Sequence, residues 1–406
     1  MNKIERLLHT LAPKGVGFRK LGEVLEYDQP NKYCVTSKEF DKSYPTPVLT
    51  AGKTFILGYT NEKDNIYQAS KNAPVIIFDD FTTATQWVDF PFKVKSSAMK
   101  ILLPKNPTIN IRFIFFYMQT IPYNISGEHT RQWISRYSQL EVPIPPLEIQ
   151  QEIVTILDAF TELNTELNTE LKARKKQYQY YQNMLLDFKD INSNHKDAKE
   201  KLAQKTYPKR LKTLFHTLAP KGVEFRKLGE VCDFQKGKSI TKKAVTFGKV
   251  PVISGGRQPA YYHNEANRSG ETIAISSSGV YAGYVSYWDI PVFLADSFSV
   301  SPKQKTLMPK YLFHYLTTQQ DAIHATKSTG GIPHVYSKDL QNFLIPIPPL
   351  EIQQEIVKIL DQFLALTTDL LAGIPAEIEA RKKQYEYYRE KLLTFKPLTP
   401  HKEVKK

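Results

Sequence analysis

The twelve residues Pro143–Val154, PIPPLEIQQEIV, return unchanged as Pro346–Val357. An identity of that length within one chain marks a duplicated unit, and any fold must accommodate it twice. Each copy opens with prolines, which fix φ and disfavour helix in the residue before them. Each then enters a long apolar stripe. In the first, Ile149, Ile153, Ile156, Phe160, Leu163, Leu167 and Leu171 step by 4, 3, 4, 3, 4 and 4, and the stripe resumes at Tyr178, Tyr181, Leu185 and Phe188. In the second, Ile352, Ile356, Ile359, Phe363, Leu366 and Leu370 do the same, followed by Ile378, Tyr385, Tyr388, Leu392 and Phe395. Alternating threes and fours over this length form a coiled-coil seam. Neither helix can bury such a stripe alone, and the obvious partner for each is the other.

A second repeat precedes each body of the chain. His9–Val24, HTLAPKGVGFRKLGEV, recurs as His216–Val231 with one difference. Between box and helix lie bodies over 28–142 and 235–345, similar in length and almost unrelated in sequence. A duplication that kept its scaffold and replaced its bodies has two equivalent sockets holding two different readers. The expected organisation is a first domain over 1–142, a spacer helix over 143–189 and a polar, Lys-rich linker over 190–212 with a short helix after Asp197. A second domain over 213–345, a second spacer helix over 346–396 and a tail over 397–406 follow. In the first body Pro47–Leu49, Phe55–Tyr59, Pro74–Phe81, Phe92–Val94 and Met99–Leu103 read as strands and Ile111–Gln119 as a helix. In the second, Val250–Ser254, Glu271–Ser276, Tyr281–Trp288 and Phe293–Val300 read as strands and Pro309–Thr317 as a helix. The first spacer helix is expected from about Leu147 to Phe188. The second is expected to start near Leu350, break at Gly373–Pro375 and resume from Ala376.

Lys and Arg number 55 against 41 acids, a net charge of +14, which suits a polyanionic partner, nucleic acid being the commonest. Solubility charge alone is the competing explanation. Two cysteines, Cys34 and Cys232, sit at non-equivalent places without a ligand pattern, so no zinc site is indicated. No apolar run reaches ~18 residues, and the first ten residues lack a signal-peptide core, so no membrane and a cytoplasmic location are expected.

The box, the PIPPLEIQQEIV run followed by ILD, and Ala173–Tyr178, ARKKQY, with its return at Ala380–Tyr385, each occur twice around variable bodies. In this the chain resembles the specificity subunit of a Type I restriction–modification system. The resemblance implies an α+β fold with an internal pseudo-twofold repeat: two mixed α/β target-recognition domains separated by two long antiparallel conserved helices. It implies that each domain reads one half of a split site on double-stranded DNA. It further implies that the conserved regions recruit two methyltransferase subunits and, through them, restriction subunits. This chain would bind no cofactor of its own; S-adenosylmethionine, ATP and magnesium would belong to the partner subunits.

The residues agree with this independently. Antiparallel pairing sets the bodies at opposite ends and brings Glu148 and Glu152 towards Arg381–Lys383, giving flanking ion pairs. A parallel pair would stretch the linker to its limit. The best DNA-facing stretch carries Lys236, Lys238, Lys242, Lys243, Lys249, Arg257 and Arg268 against the single acid Glu265, interleaved with Tyr261, Tyr262 and His263. Lysines suit phosphates, and Arg257 suits a guanine edge. An ordinary basic loop is the bland alternative. In the less basic first body the candidates are Lys53, Lys63 and Arg131. Both bodies end alike, at Ser126–Gly127, Arg131 and Trp133 and at Thr329–Gly331, His334 and Tyr336, either as a shared DNA-side loop or as a structural turn. Asp79 and Asp80 at a strand end form a turn, a cap, a base contact or, less simply, a magnesium site. Ser276–Gly279 lacks the lysine of a phosphate loop. No cofactor or metal motif is present, so a stand-alone nuclease or methyltransferase has no visible machinery. A coiled-coil spacer binding proteins only remains the other alternative.

Thr161–Leu171, TELNTELNTEL, repeats every four residues inside the first helix. Adding or deleting one unit should lengthen or shorten the helix pair by about 6 Å and turn one end by about 40°. The gap between recognised half-sites should shift by one or two base pairs at ~3.4 Å each, with the bases in each half unchanged. Mapping methylated sites for variants with one, two and three units checks this. A two-residue insertion, which rotates the stripe by about 200°, should abolish packing instead.

Overall fold

The computed structural model describes residues 3–50, 54–122, 131–303, 305–328, 331–368 and 373–398. It divides into two compact units, Met1–Leu167 with Ile378–Lys406, and Asn168–Glu377. In the first, a four-stranded antiparallel sheet runs in the spatial order Leu25–Asp28, Met99–Pro104, Val75–Asp79, Thr85–Val88. A three-stranded sheet orders Ile56–Thr60, Thr46–Leu49 and Lys93–Val94, the last pair parallel. A short ladder joins Gly17–Lys20 of the box to Glu141–Ile144. The second unit repeats all three. Its larger sheet orders Cys232–Lys236, Ser297–Pro302, Thr272–Ser276 and Val285–Trp288, and its smaller one Tyr261–His263, Phe247–Ile253 and Phe293–Leu294. Its ladder joins Glu224–Lys227 to Leu344–Ile347. The two bodies therefore share one topology. The stretch Phe293–Val300, expected as one strand, is two strands in different sheets, separated at Ala295–Asp296.

The first spacer helix runs Leu147–Leu186. The second consists of Leu350–Thr368 and Ile374–Leu393, so the break expected at Gly373–Pro375 is present and helix resumes two residues earlier than expected. Leu370 lies outside the described residues. In the first unit Phe160 stacks on Tyr388 at 5.5 Å and meets Tyr385 at 6.4 Å. In the second the equivalent pair is reversed, Tyr181 stacking on Phe363 at 4.9 Å. The early part of each helix thus meets the late part of the other, which is antiparallel pairing.

The seam differs from strict alternation in its first turns. Ile149, Ile153 and Leu157 are buried, and so are Ile352, Ile356 and Leu360, whereas Ile156, Ile359 and Leu163 are only half-buried. Leu366 is 37% exposed. The reason is that these first turns face the globular body, with a 4-4 spacing, before the helix-to-helix seam begins at Phe160 and Phe363. Further along, Leu167 and Leu185 are buried, Tyr178, Tyr181 and Tyr385 are half-buried, and so are Tyr388 and Leu392.

The invariant glutamine of each copy clamps helix to body. Gln150 accepts from the amide of Asn110 (2.8 Å) and donates to the carbonyls of Thr108 (3.1 Å) and Pro145 (2.7 Å). Gln353 makes the same three bonds, to Met308 (2.9 Å), Thr306 (2.8 Å) and Pro348 (2.7 Å). Alongside, Asp158 pairs with Arg112 and Asp361 with Lys310, both at 2.7 Å. His314, which replaces the apolar Phe116, bridges Asp361 (2.8 Å) and the Tyr178 hydroxyl (3.3 Å). Burial alone would raise the Asp361 carboxyl, but the bonds from His314 and Lys310 hold it below its usual range.

One expectation is corrected. Glu152 pairs with Lys3 and the equivalent Glu355 with Arg210, each on the short helix that leads into its box, Lys3–Leu11 or Lys209–Leu218. With Phe160 opposite Tyr388, Glu152 lies some 15 residues, about 22 Å, from the level of Arg381, too far for the expected flanking pair. The linker over 190–212 carries the expected short helix after Asp197, Ala198–Gln204, and is packed: Ile191, Ala198, Leu202, Tyr207 and Leu211 are buried, four of them in the core of the second unit. Val223 pairs with Asn192 as Val16 pairs with Pro397. The glycines before them have φ of +110° and +99°, and a Cβ would come within 2.8 Å of the Pro397 carbonyl at Gly15 and 2.3 Å of that of Ile191 at Gly222.

Leu360→Ala should cost about 2–5 kcal/mol of stability, because it empties a fully buried site. Leu366→Ala should stay within about 0.5 kcal/mol. Gln353→Ala should cost roughly 1–3 kcal/mol by leaving the Met308 amide without a partner. Urea unfolding midpoints measure all three.

Candidate nucleic-acid interface

In the second domain Lys236 ends a strand, Lys238 follows it, Lys242 and Lys243 form a short turn of 3-10 helix, and Lys249 lies on Phe247–Ile253. All five are exposed, and none forms an ion pair among the described residues. Tyr261 and Tyr262 are exposed on the strand paired with Phe247–Ile253. Between the lysines stands Phe247, 92% exposed, in a strand that begins three residues before the expected Val250. A lone aromatic between Lys243 and Lys249 was the available signal.

Two candidates in this stretch are engaged within the domain, one buried and one half-buried. His263 is buried, its Nδ1 3.1 Å from the Thr246 amide and its ring against Phe293. Alternation explains it: on a strand flanking the small sheet, the residue after Tyr262 turns inward. Arg268 spends its guanidinium on Ser299 Oγ (2.9 Å) and on the carbonyls of Asn267 (2.7 Å), Gln235 (3.1 Å) and Lys236 (3.0 Å). Burial lowers its pKa, and it holds the end of the strand that carries Lys236.

Three loops converge elsewhere on this domain. Ser277 N–H donates to Asp296 (2.9 Å), Ser276 Oγ to the Ser254 carbonyl (3.0 Å), Gly279 N–H to Pro333 (3.0 Å), and Val335 N–H to Ser277 (2.9 Å). On them stand Arg257, over the rings of Tyr281 (4.9 Å) and Tyr284 (5.7 Å), and His334, stacked on Tyr336 at 6.0 Å. Burial and the cations Lys327 and Arg257 hold the neighbouring His324 imidazole below its ordinary pKa, against the pull of Asp321.

In the first domain Lys63 and Arg131 are exposed, while Lys53, Ser126–Gly127 and Thr329–Gly330 lie outside the described residues. Arg131 occupies the place of His334, just ahead of a residue whose amide bonds the loop after the central strand. The matching aromatics diverge: Tyr336 is exposed, but Trp133 is buried against Phe78, its amide donating to Asp80 (2.9 Å). Asp80 is also 3.4 Å from the buried Lys100 ammonium, and Asp79 accepts from Phe81 (2.9 Å) and Thr82 (3.3 Å) amides. The pair is thus a cap and a turn. No cluster of metal-ligating side chains occurs among the described residues.

Residues 13–200 and 220–380 both match the Type I restriction modification DNA specificity domain family. The chain belongs to that family. It is 40% identical, over 98% of both chains, to the Type I restriction enzyme EcoR124I/EcoR124II specificity subunit of Escherichia coli. It is 33% identical to a putative Type I restriction enzyme specificity subunit of Haemophilus influenzae, over 71% of this chain and 73% of that one. The fold resembles that of the crystallised Type I restriction–modification S subunit from M. genitalium, with a TM-score of 0.63 at 17% identity, covering 93% of this chain and 96% of the other. The protein is thus a specificity subunit with two DNA-specificity domains, the non-catalytic member of such a system. No helix among the described residues is long and apolar enough to cross a membrane.

Lys243→Glu should weaken DNA binding by the assembled specificity subunit without unfolding it. The slope of log affinity against log salt should fall by about one phosphate contact. Equilibrium titrations at several salt concentrations read this, and an unchanged slope with normal affinity removes Lys243 from the interface.

Proposed function

We propose that this specificity subunit recognises a bipartite, asymmetric site on double-stranded DNA, one half through each domain, and scaffolds two methyltransferase subunits and, through them, restriction subunits. The readers are the domains within 1–142 and 213–345, and the spacers are the helices within 143–189 and 346–396. The observation that carries the reading is that two bodies with almost no shared sequence have the same strand order in all three sheets. One architecture with two different surfaces reads two different half-sites, so the site is not a palindrome, unlike those of symmetric dimers. The exposed lysines of the second domain suit the sequence-independent phosphate component.

Support for two copies of one partner comes from the repeated surface. Buried repeat residues such as Leu21 and Leu228 are explained by packing. The exposed ones are not: His9, Leu11, Lys14 and Arg19 return as His216, Leu218, Lys221 and Arg226, all exposed. Tyr180 and Tyr387, on equivalent turns of the two spacer helices, are likewise exposed. Solvated surface drifts freely after duplication unless something touches it. Two equal patches suit two equal partners, the methyltransferase subunits. Methyl-donor and nucleotide chemistry, with S-adenosylmethionine, ATP and magnesium, then belongs to the partners, and the assembly works in the cytoplasm.

Replacing residues 28–142 by another body should change one half of the methylated site and leave the other half as it was. Methylome sequencing of a host expressing the chimaera with the methyltransferase subunits is the measurement. Both halves changing together would refute the two-socket reading.

A further inference from the structure

Within the second domain, the three converging loops form a built surface. Their backbones are tied to one another and to Asp296 by the bonds described above, so their tips are held in fixed relation. Gly255 lies in one loop, where a Cβ would come within 2.4 Å of the Ser278 carbonyl of the next, so the two cross at backbone contact. Gly279 turns the second loop with φ of +86°.

The side chains at these tips have an unusual mixture. Val280 is 81% and Ile332 65% exposed. Arg257 is exposed and stands over two tyrosine rings. No hydrogen bond or ion pair occupies its guanidinium among the described residues, in contrast with Arg268. Two rings within 6 Å restrain the plane of a guanidinium while leaving its N–H donors outward. That is a preorganised fork awaiting two acceptors on one edge. Guanine O6 and N7 offer that pair in the major groove, and a phosphate offers another. The neighbours decide between them. The exposed apolar tips Val280 and Ile332 favour the base, since they fit base edges and the thymine methyl, while the nearby Lys327 ammonium is held at the Val280 carbonyl (3.4 Å) and suits the adjoining phosphate.

We propose that Arg257 reads a guanine in the half-site of the second domain, with Tyr281 and Tyr284 as positioning residues and Val280 and Ile332 against adjacent base edges. This rests on the reading of the second domain as a DNA reader and assigns the loops and the base that reading leaves open.

The test uses the full chain assembled with its methyltransferase subunits, read by methylome sequencing and by binding titrations against salt. Arg257→Ala should relax the second half-site at one position, with discrimination there falling roughly 10- to 100-fold. The first half-site should stay unchanged. Arg257→Lys, which keeps the charge and loses the fork, should relax the same position. Tyr281→Ala should relax it less, and Tyr281→Phe, which keeps the ring, should behave as the parent. Should Arg257→Ala fail to fold, the Lys and Tyr variants decide. Loss spread evenly over all sequences, restored by Lys and accompanied by a salt slope smaller by about one, would make Arg257 a phosphate contact and overturn the proposal. An unrelaxed second half-site in Arg257→Lys would overturn it as well, while leaving the two-domain reading intact. A parent complex that methylates no split sequence would overturn both, and the two failures are thereby distinguishable.

Discussion

The fold depends on how two helices with long apolar stripes are held at their beginnings. A helix of 40 residues such as Leu147–Leu186 has few apolar residues per turn in its middle, and its stability comes from packing rather than propensity. Packing needs a fixed register, and the register is set where helix meets body. The Asp158–Arg112 pair contributes little to that, since the Asp158 side chain is 42% exposed and such pairs are worth about 0–1 kcal/mol. The buried glutamines contribute more. Gln150 and Gln353 each satisfy one amide and two carbonyls that would otherwise be stranded, and each lost partner costs roughly 1–3 kcal/mol. The prolines just before supply carbonyls to these clamps and stop the helix from extending backwards. This is a physical reason for the motif to survive unchanged in both copies.

The same clamp explains how the bodies became so different without losing their fold. What a body must present to its socket is small: a helix carrying Arg112 or Lys310, the loop before it, and one strand edge for the box. The remaining sheet positions need only alternate apolar and polar residues to keep their register. Phe116 and His314 illustrate the freedom. They occupy equivalent places, and the second unit satisfies its imidazole with Asp361 and Tyr178 where the first needs only apolar packing.

Much of this was legible in the sequence because repetition and periodicity are local signals. The strands around Val75–Asp79 and Thr272–Ser276, both spacer helices and the break at Gly373 all follow from hydrophobic spacing and proline chemistry. The misreadings share one cause, which is that tertiary context decides them. Spacing cannot tell whether Ile156 or Leu157 faces inward until it is known that the first turns meet a body rather than a helix. His263 and Arg268 are chemically fit for DNA, and only the sheet shows one turned inward and the other consumed by carbonyls. Phe247 carries a weak signal, a lone aromatic between Lys243 and Lys249, but its exposure follows only from the fold.

That last distinction separates affinity from specificity in this protein. A net charge of +14 gives attraction to any duplex, and the unpaired lysines from Lys236 to Lys249 add a sequence-independent hold on phosphates. Charge of that kind tolerates flexible side chains and loose placement. Reading a base does not, because a bidentate contact survives only small errors in position and angle. The two demands therefore fall on different structural settings: solvated lysines on short segments for the first, and loops tied to each other by backbone hydrogen bonds for the second. In the second domain those tied loops lie at the end of the central strand Thr272–Ser276, the most buried strand of its sheet. The rigid core thus ends where geometric precision is needed, and the charge stands where it is not.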